Sequence, residues 1–172
     1  SKALKRVMEM EREGADIIDI GGESTGPNST NVSIEEERKR VMPILKAVLK
    51  ITELPISIDT YKAQIAEEAI KLGAKMINDV TGLRGDKAMA KIAAKYRIPV
   101  IIMYSKDPSA RTTIQEKHYT DVIKTIKKFL KKQITYAKKQ GIKDSQIIID
   151  PGMGNFISKI PKYSFEILNR LS

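Results

Sequence analysis

Short apolar runs alternate with longer amphipathic segments along the whole chain. Five apolar runs have the length of buried β-strands, at residues 15–21, 55–60, 74–80, 99–105 and 145–152. The segments around them have apolar residues at helical spacing, which predicts six helices over 1–13, 33–50, 61–73, 87–96, 116–140 and 161–171. Strands that are apolar on both faces and alternate with helices are typical of a parallel sheet built from βα units. The pattern therefore predicts an α/β fold, with one domain or part of one over residues 1–172.

Two of the predicted helices carry recognisable end signals. Ser33 opens the helix over 33–50, with Glu36 three residues later, and this spacing predicts a capping box. Gly73 follows the helix over 61–73 at the position where a glycine commonly ends a helix. These signals support the boundaries drawn from the apolar spacing.

Composition narrows the class of protein. Hydrophobic residues make up 41% of the chain and charged residues 30%, the profile of a soluble globular protein. The absence of cysteine excludes disulfides and thiolate zinc sites. No apolar run approaches the roughly 20 residues needed to cross a membrane, and no secretory signal opens the chain. We therefore expect a cytoplasmic protein without a membrane partner.

The net charge of +10 raises the question of a polyanionic partner. Lysine dominates the basic residues, many of them on the predicted helix over 116–140, and aromatic residues make up only 5% of the chain. Nucleic-acid modules usually interleave arginine with aromatic residues. The composition favours a solvated lysine-rich surface without specific nucleic-acid binding, and a lysine-helix nucleic-acid binder remains the alternative.

Polar side chains follow every predicted strand. The strand ends read "DIGGEST", "SIDT", "INDVTG", "MYSKD" and "IDPGMG". In parallel α/β folds the ligand lies at the carboxyl ends of the strands. A single aspartate there, such as Asp59 or Asp79, is also well suited to cap the following helix. The repetition at all five strands favours a binding site, with Glu23, Ser24 and Thr25 at its first strand.

Three segments resemble the dihydropteroate synthase family: "DIIDIGGEST", "ISIDTYKAQIAEEAIKLGAKMINDVTGLRGD" and "IIIDPGMG". The resemblance covers essentially the whole chain, in the family's order and spacing. It implies a (β/α)8 TIM barrel that condenses 6-hydroxymethyl-7,8-dihydropterin pyrophosphate with 4-aminobenzoate. The products are 7,8-dihydropteroate and pyrophosphate, in folate biosynthesis.

The resemblance also implies roles for individual residues. Asp59, Asn78 and Asp150 match the pterin-contacting positions, and Thr25 matches a position that contacts the pterin pyrophosphate substrate. A carboxylate can accept two parallel hydrogen bonds from the paired N–H edge of a pterin. Because loss of pyrophosphate leaves a cationic methylene, a nearby carboxylate would stabilise that state, and Asp59 is the candidate catalytic residue. The lone His118 is expected to be solvated near the start of the helix over 116–140.

By resemblance the chain corresponds to strands two to six of the eight-stranded barrel. The family's first strand supplies the asparagine that binds Mg2+, and its last two strands supply a lysine and an Arg-x-His, so none of the residues 1–172 is predicted to bind the metal. We expect a partial barrel with little turnover as a separate chain, and a homodimer for the full-length protein.

Three local sequences differ from the family pattern. Gly26-Pro27 stands where many members have Arg-Pro, and Met103-Tyr104-Ser105 stands where Met-His-Met is usual. The loop "MGNFISK" replaces the usual Gly-Phe-Gly-Lys after "DPG" and changes the region expected near the aminobenzoate. The alternatives are a methyltetrahydrofolate-dependent methyltransferase on the same barrel, which would lack "GGEST", and a pterin-binding homologue without catalysis.

Overall fold

The computed structural model describes residues 2–171, so Ser1 of the first predicted helix and Ser172 lie outside the described residues. The strands are β1 (Ile18–Gly21), β2 (Ile56–Asp59), β3 (Met76–Asp79), β4 (Val100–Met103) and β5 (Ile147–Asp150). The helices are α1 (Lys2–Arg12), α2 (Ile34–Val48), α3 (Ala63–Leu72), α4 (Met89–Tyr96), α5 (Val122–Lys139) and α6 (Lys162–Asn169). The predicted order of elements is confirmed.

All five strands are parallel and lie in the order β1-β2-β3-β4-β5. Each strand is therefore the neighbour of the next one along the chain, without the reversal of strand order that defines doubly wound sheets. Sequential neighbours joined through helices are the arrangement of a (β/α)8 barrel. With β1 and β5 at open edges, the sheet is part of such a barrel, as the sequence predicted.

The core lies between one face of the sheet and the helices that cover it. Ile56, Ile58, Ile77 and Ile102 on the strands are fully buried, as is Leu45 of α2. Because side chains alternate across a strand, the residues between these isoleucines point to the opposite face. That face contains polar residues at the carboxyl ends of the strands and carries the candidate site.

The long helix is shorter than the sequence indicated. It was predicted over 116–140 but begins at Val122, and Asp121 caps it by accepting a hydrogen bond of 2.9 Å from the backbone N–H of Lys124. In the preceding segment the backbone N–H of Lys117 donates to the side chain of Ser158 at 3.0 Å, and that of Tyr119 to Tyr163 at 2.9 Å. These contacts with residues distant in sequence satisfy backbone groups that a helix would otherwise pair, so the prediction for residues 116–121 is wrong.

The other predicted elements differ at their ends by up to three residues. At the start of α2, Ser33 accepts a hydrogen bond of 3.2 Å from the backbone N–H of Glu36, which confirms half of the predicted capping box. The Glu36 carboxylate pairs instead with Arg40 at 2.7 Å. The reciprocal half of the box is therefore wrong, because the charged neighbour one turn later competes for the same carboxylate.

Candidate functional site

The register of the sheet brings three of the predicted site residues to one face. Asp59 of β2 lies opposite Asn78 of β3, and Asp150 of β5 lies opposite Met103 of β4. Asn78 is paired with Ile101, two residues before Met103, so Asn78 and Asp150 share a face. Asp59, Asn78 and Asp150 therefore line the carboxyl end of the sheet on the side away from the helices.

Asp59 is held in a setting that favours its protonated form. Burial, followed by the negative charges of neighbouring carboxylates, raises the pKa of Asp59 from 3.8 to about 7. These neighbours are Asp19, Asp79, Glu37 and Glu23. Within residues 2–171 the Asp59 side chain makes no hydrogen bond or ion pair. A raised pKa on a partly buried group without a partner is characteristic of residues that act on a ligand.

The helix-cap interpretation is wrong for both Asp59 and Asp79, since neither side chain bonds the first turn of the following helix. The first backbone N–H of α3, at Ala63, donates to Asp86 at 3.0 Å rather than to Asp59. Asp79 is fully buried and accepts hydrogen bonds from the backbone N–H groups of Thr81 at 2.8 Å and Leu83 at 3.0 Å. Asp79 therefore shapes the loop after β3, whereas Asp59 remains available to a ligand.

Asn78 is oriented by a residue that the sequence analysis did not single out. Its amide Nδ2 donates a hydrogen bond of 3.1 Å to Asp19 of β1. Asp19 lies two residues before Gly21, the register partner of Asp59, so it points to the same face. The signal in the sequence was an aspartate inside an otherwise apolar strand, which is costly unless a polar partner faces it.

Asp150 serves its own turn and keeps one carboxylate oxygen for other partners. Its Oδ1 accepts a hydrogen bond of 2.7 Å from the backbone N–H of Gly152. Gly152 has a φ of +71° and lies so close to the backbone of Tyr104 that an added Cβ would be 2.3 Å from the carbonyl oxygen. Glycine is therefore required at this turn, because only glycine combines positive φ with so close an approach. The turn directs Asp150 toward the site face.

Thr25 lies in the segment of residues 22–32, which we call the β1 loop. Its backbone carbonyl accepts a hydrogen bond of 3.0 Å from the N–H of Thr112, and no described residue bonds its hydroxyl.

Glu23 of the same loop has a different role. Its side chain is only 4% exposed and is paired with Lys62 and Arg111, while Tyr61 donates to it at 3.1 Å. The hydroxyl of Thr25 is open to a ligand, and the carboxylate of Glu23 is structural.

The lysine partner of Glu23 joins a second buried carboxylate. Lys62 also pairs with Glu37 of α2, whose side chain is 1% exposed, and Thr60 donates to Glu37 at 2.7 Å. Burial alone would raise the pKa of Glu23, but hydrogen bonds from Lys62 and Arg111 outweigh it and lower that pKa. The cluster ties the β1 loop, α2 and the start of α3 together directly beside Asp59.

Three further observations concern the residues that the structure describes. His118 is exposed, as predicted, but it lies in the segment before α5 rather than within the helix. Between residues 2 and 171 no group of three or more His, Asp or Glu side chains is arranged to hold a metal ion. In the same part of the chain, none of the helices is long and apolar enough to span a membrane.

Comparison with known proteins places this geometry in a family. The family described as "Pterin binding enzyme" matches residues 1–172. The dihydropteroate synthase of Clostridium beijerinckii is 46% identical over 169 residues, which are 98% of this chain and 59% of that protein. The Clostridium difficile enzyme, crystallised in the presence of pteroic acid, superposes with a TM-score of 0.87 at 42% identity, over 98% of this chain and 60% of its own.

A second solved structure agrees with these matches. The Thermus thermophilus dihydropteroate synthase in complex with 4-aminobenzoate has a TM-score of 0.85 at 42% identity, over 98% of this chain and 62% of that one. The chain thus spans about three fifths of the length of the proteins it matches. Fold and sequence agree over 98% of the chain, and the chain belongs to the family of pterin binding enzymes.

Proposed function

We propose that the protein containing this chain is a dihydropteroate synthase, which joins 6-hydroxymethyl-7,8-dihydropterin pyrophosphate to 4-aminobenzoate. The observation that carries the proposal is the Asp59 carboxylate, partly buried, without a partner among the described residues and beside Asn78 at the carboxyl end of the sheet. Relatives and neighbouring structures named dihydropteroate synthase support the same reaction.

Pterin recognition would use the three side chains on the site face. The ring presents paired N–H donors along one edge, and a carboxylate such as Asp150 or Asp59 can accept them. Because Asp19 accepts one N–H of the Asn78 amide, the Asn78 carbonyl oxygen is left to accept from the ligand. These carboxylate and amide oxygens match the N–H donors along the edge of the pterin ring. Thr25 would contact the pyrophosphate end of the substrate with its hydroxyl.

The chemical step needs charge stabilisation rather than a covalent nucleophile. The bond between the methylene carbon and the pyrophosphate oxygen breaks, and its electron pair leaves with pyrophosphate. The positive charge on the methylene is shared with the dihydropterin ring, where an ionised Asp59 would stabilise it more than the neutral substrate. The amine of 4-aminobenzoate then donates its lone pair to the methylene, forms the C–N bond and releases a proton.

The proposal has three further parts, of which the metal and the homodimer rest on resemblance and the location on the composition of the chain. We expect Mg2+ to accompany the pyrophosphate, a homodimer, and location in the cytoplasm. The described side chains do not form a metal site by themselves, so no step above is assigned to the metal. Pteroic acid with the Clostridium difficile enzyme and 4-aminobenzoate with the Thermus thermophilus enzyme favour small-molecule substrates, and we propose neither a nucleic-acid nor a membrane partner.

The activity test uses the reading frame that encodes residues 1–172, assayed with the pterin pyrophosphate and 4-aminobenzoate. We expect dihydropteroate and pyrophosphate to appear in equal amounts, and Asp59→Asn provides the matched inactive control. Tight pterin binding without turnover would instead identify a non-catalytic homologue. Transfer of a methyl group from methyltetrahydrofolate would identify the methyltransferase alternative.

Pterin affinity is expected to rise with pH through about 7. The pKa of Asp59 in the empty site is raised to about 7, and the N–H donors of the ligand favour its ionised form. The affinity for the pterin is therefore highest above that pKa and falls by up to about tenfold for each pH unit below it. Calorimetry with 6-hydroxymethyl-7,8-dihydropterin between about pH 5 and pH 7.5 measures this slope. Asp59→Asn should flatten the profile, and a flat wild-type profile would contradict the prediction.

A further inference from the structure

Arg111 joins the β1 loop to the segment of residues 104–121, which we call the β4 loop. Its Nε donates to the carbonyl of Ser29 at 3.0 Å, and its Nη2 donates to the carbonyl of Thr30 at 2.7 Å. The same guanidinium pairs with the buried carboxylate of Glu23 and with the side chain of Asn31. One side chain from the β4 loop therefore contacts four residues of the β1 loop.

The β4 loop is internally braced at the point from which Arg111 extends. Asp107 accepts hydrogen bonds from the backbone N–H of Thr113 at 2.9 Å and from the hydroxyl of Thr112 at 3.1 Å. Lys106, whose side chain is 2% exposed, pairs with the same carboxylate at 2.6 Å. Arg84 donates to the carbonyl of Asp107 at 3.0 Å, which links this turn to the loop after β3. The guanidinium is thus presented from a rigid support.

The β1 loop, by contrast, contains no lysine or arginine between residues 22 and 32. Its one charge is the carboxylate of Glu23, which receives both of its cationic partners, Lys62 and Arg111, from other parts of the chain. Lys62 fixes only Glu23 at the start of the loop, whereas Arg111 reaches Ser29 and Thr30 on the far side of Thr25. The position of Thr25 is therefore set from both sides, and Arg111 supplies the second side.

We propose that Arg111 is a positioning residue that holds the β1 loop against the β4 loop, so that the Thr25 hydroxyl faces the pyrophosphate end of the substrate. The kinetic effect expected of Arg111 rests on the proposed function. Its role in joining the β1 loop to the β4 loop does not depend on that function. The hydrogen bond from Thr112 to the Thr25 carbonyl lies next to Arg111 and reports whether the two loops remain joined. Arg111 acts through the loop and not on the reacting atoms.

The structural part is tested by amide hydrogen exchange on the full-length protein. Arg111→Gln should speed exchange in residues 22–32 by about tenfold or more, because Glu23 loses one of its two cations and the loop loses two carbonyl contacts. Exchange in β2, β3 and β4 should not change. The matched control is Arg12→Gln, an exposed arginine of α1 whose Nε donates to the Met8 carbonyl at 3.3 Å. Unchanged exchange in the β1 loop would overturn the proposal.

The kinetic part separates positioning from a general loss of stability. Arg111→Gln should raise KM for the pterin pyrophosphate by about tenfold and leave the affinity for 6-hydroxymethyl-7,8-dihydropterin within about twofold. If Arg111 acts through Thr25, the KM of the double variant R111Q/T25V for the pterin pyrophosphate should be little higher than that of T25V alone. Multiplied effects in the double variant would overturn the proposal.

Two controls keep the outcome decisive. Arg111→Lys retains the charge facing Glu23 but loses the planar fork that reaches two carbonyls, so loop exchange should be intermediate. This variant carries the test if Arg111→Gln does not fold. Absence of turnover in the wild-type protein would refute the proposed function, while loop exchange would still decide whether Arg111 holds the loop.

Discussion

Replacing Asp59 with asparagine is expected to lower kcat/KM by about a hundred- to a thousandfold. The substitution keeps the size of the side chain and removes the negative charge that would stabilise the cationic methylene. We expect the loss to appear in kcat, through the cationic methylene, and also in KM, because Asp59 is proposed to bind the pterin ring together with Asn78 and Asp150. Steady-state assays with both substrates measure the two constants. A variant within about tenfold of wild type would contradict a charge-stabilising role for Asp59.

The same substitution is expected to stabilise the protein at alkaline pH. The pKa of Asp59 is about 7 in the folded state, whereas its ordinary value, expected in the unfolded chain, is 3.8. The folded state therefore binds the proton more tightly. The carboxyl group therefore opposes folding increasingly from about pH 4 to pH 7 and to its full extent above pH 7, so Asp59→Asn should raise the free energy of unfolding by about 2 to 4 kcal/mol at pH 8. The gain should vanish near pH 4, where the folded wild type is already neutral.

Denaturant unfolding at the two pH values measures that gain. Asp16→Asn is the matched control, since Asp16 is an exposed aspartate that precedes β1, at the opposite end of the sheet from Asp59. Equal stabilities of wild type and Asp59→Asn at pH 8 would show that the carboxylate is not strained by its surroundings. A gain in stability together with a loss of turnover would show that the site accepts an unfavourable charge for its chemistry.

The strand-end residues could be predicted because they depend on local sequence. Asp59, Asn78 and Asp150 each directly follow an apolar run, and parallel strands place such positions at one edge. The sequence pattern could not distinguish Asp59 from Asp79, because both precede a loop and a helix. That difference depends on which backbone N–H groups the loop after each strand presents, and it became visible only in the structure.

The residues that the sequence analysis missed act across long separations in the chain. Arg111 contacts residues about 80 positions earlier, and Asp19 meets Asn78 only through the register of β1, β2 and β3. Glu23 sits between glycines and hydroxyl residues, so its sequence context indicated a ligand contact. Burial against Lys62 and Arg111 gives it a structural role instead. Contacts of this kind are set by the fold and leave no local signal.

Replacing Lys62 with methionine is expected to lower the free energy of unfolding by about 3 to 5 kcal/mol. Lys62 is the shared cation of two carboxylates whose side chains are 4% and 1% exposed, Glu23 and Glu37. Methionine fills similar space but leaves both charges in a region that water does not reach, and among residues 2–171 Arg111 is the one cation left to pair with either of them, at Glu23. The penalty comes from the stranded charges rather than from lost packing.

The pH dependence of the loss separates these two causes. Burial raises the pKa of Glu23 once the hydrogen bond from Lys62 is lost, so protonation removes stranded charge and the defect of Lys62→Met should shrink as the pH falls from about 8 toward 5. A packing defect would not change with pH. Lys95→Met is the matched control, because Lys95 forms an exposed pair with Glu67 at 2.8 Å and its removal should leave the unfolding midpoint unchanged. A Lys62 variant as stable as the Lys95 variant would mean that Glu23 and Glu37 do not depend on this cation.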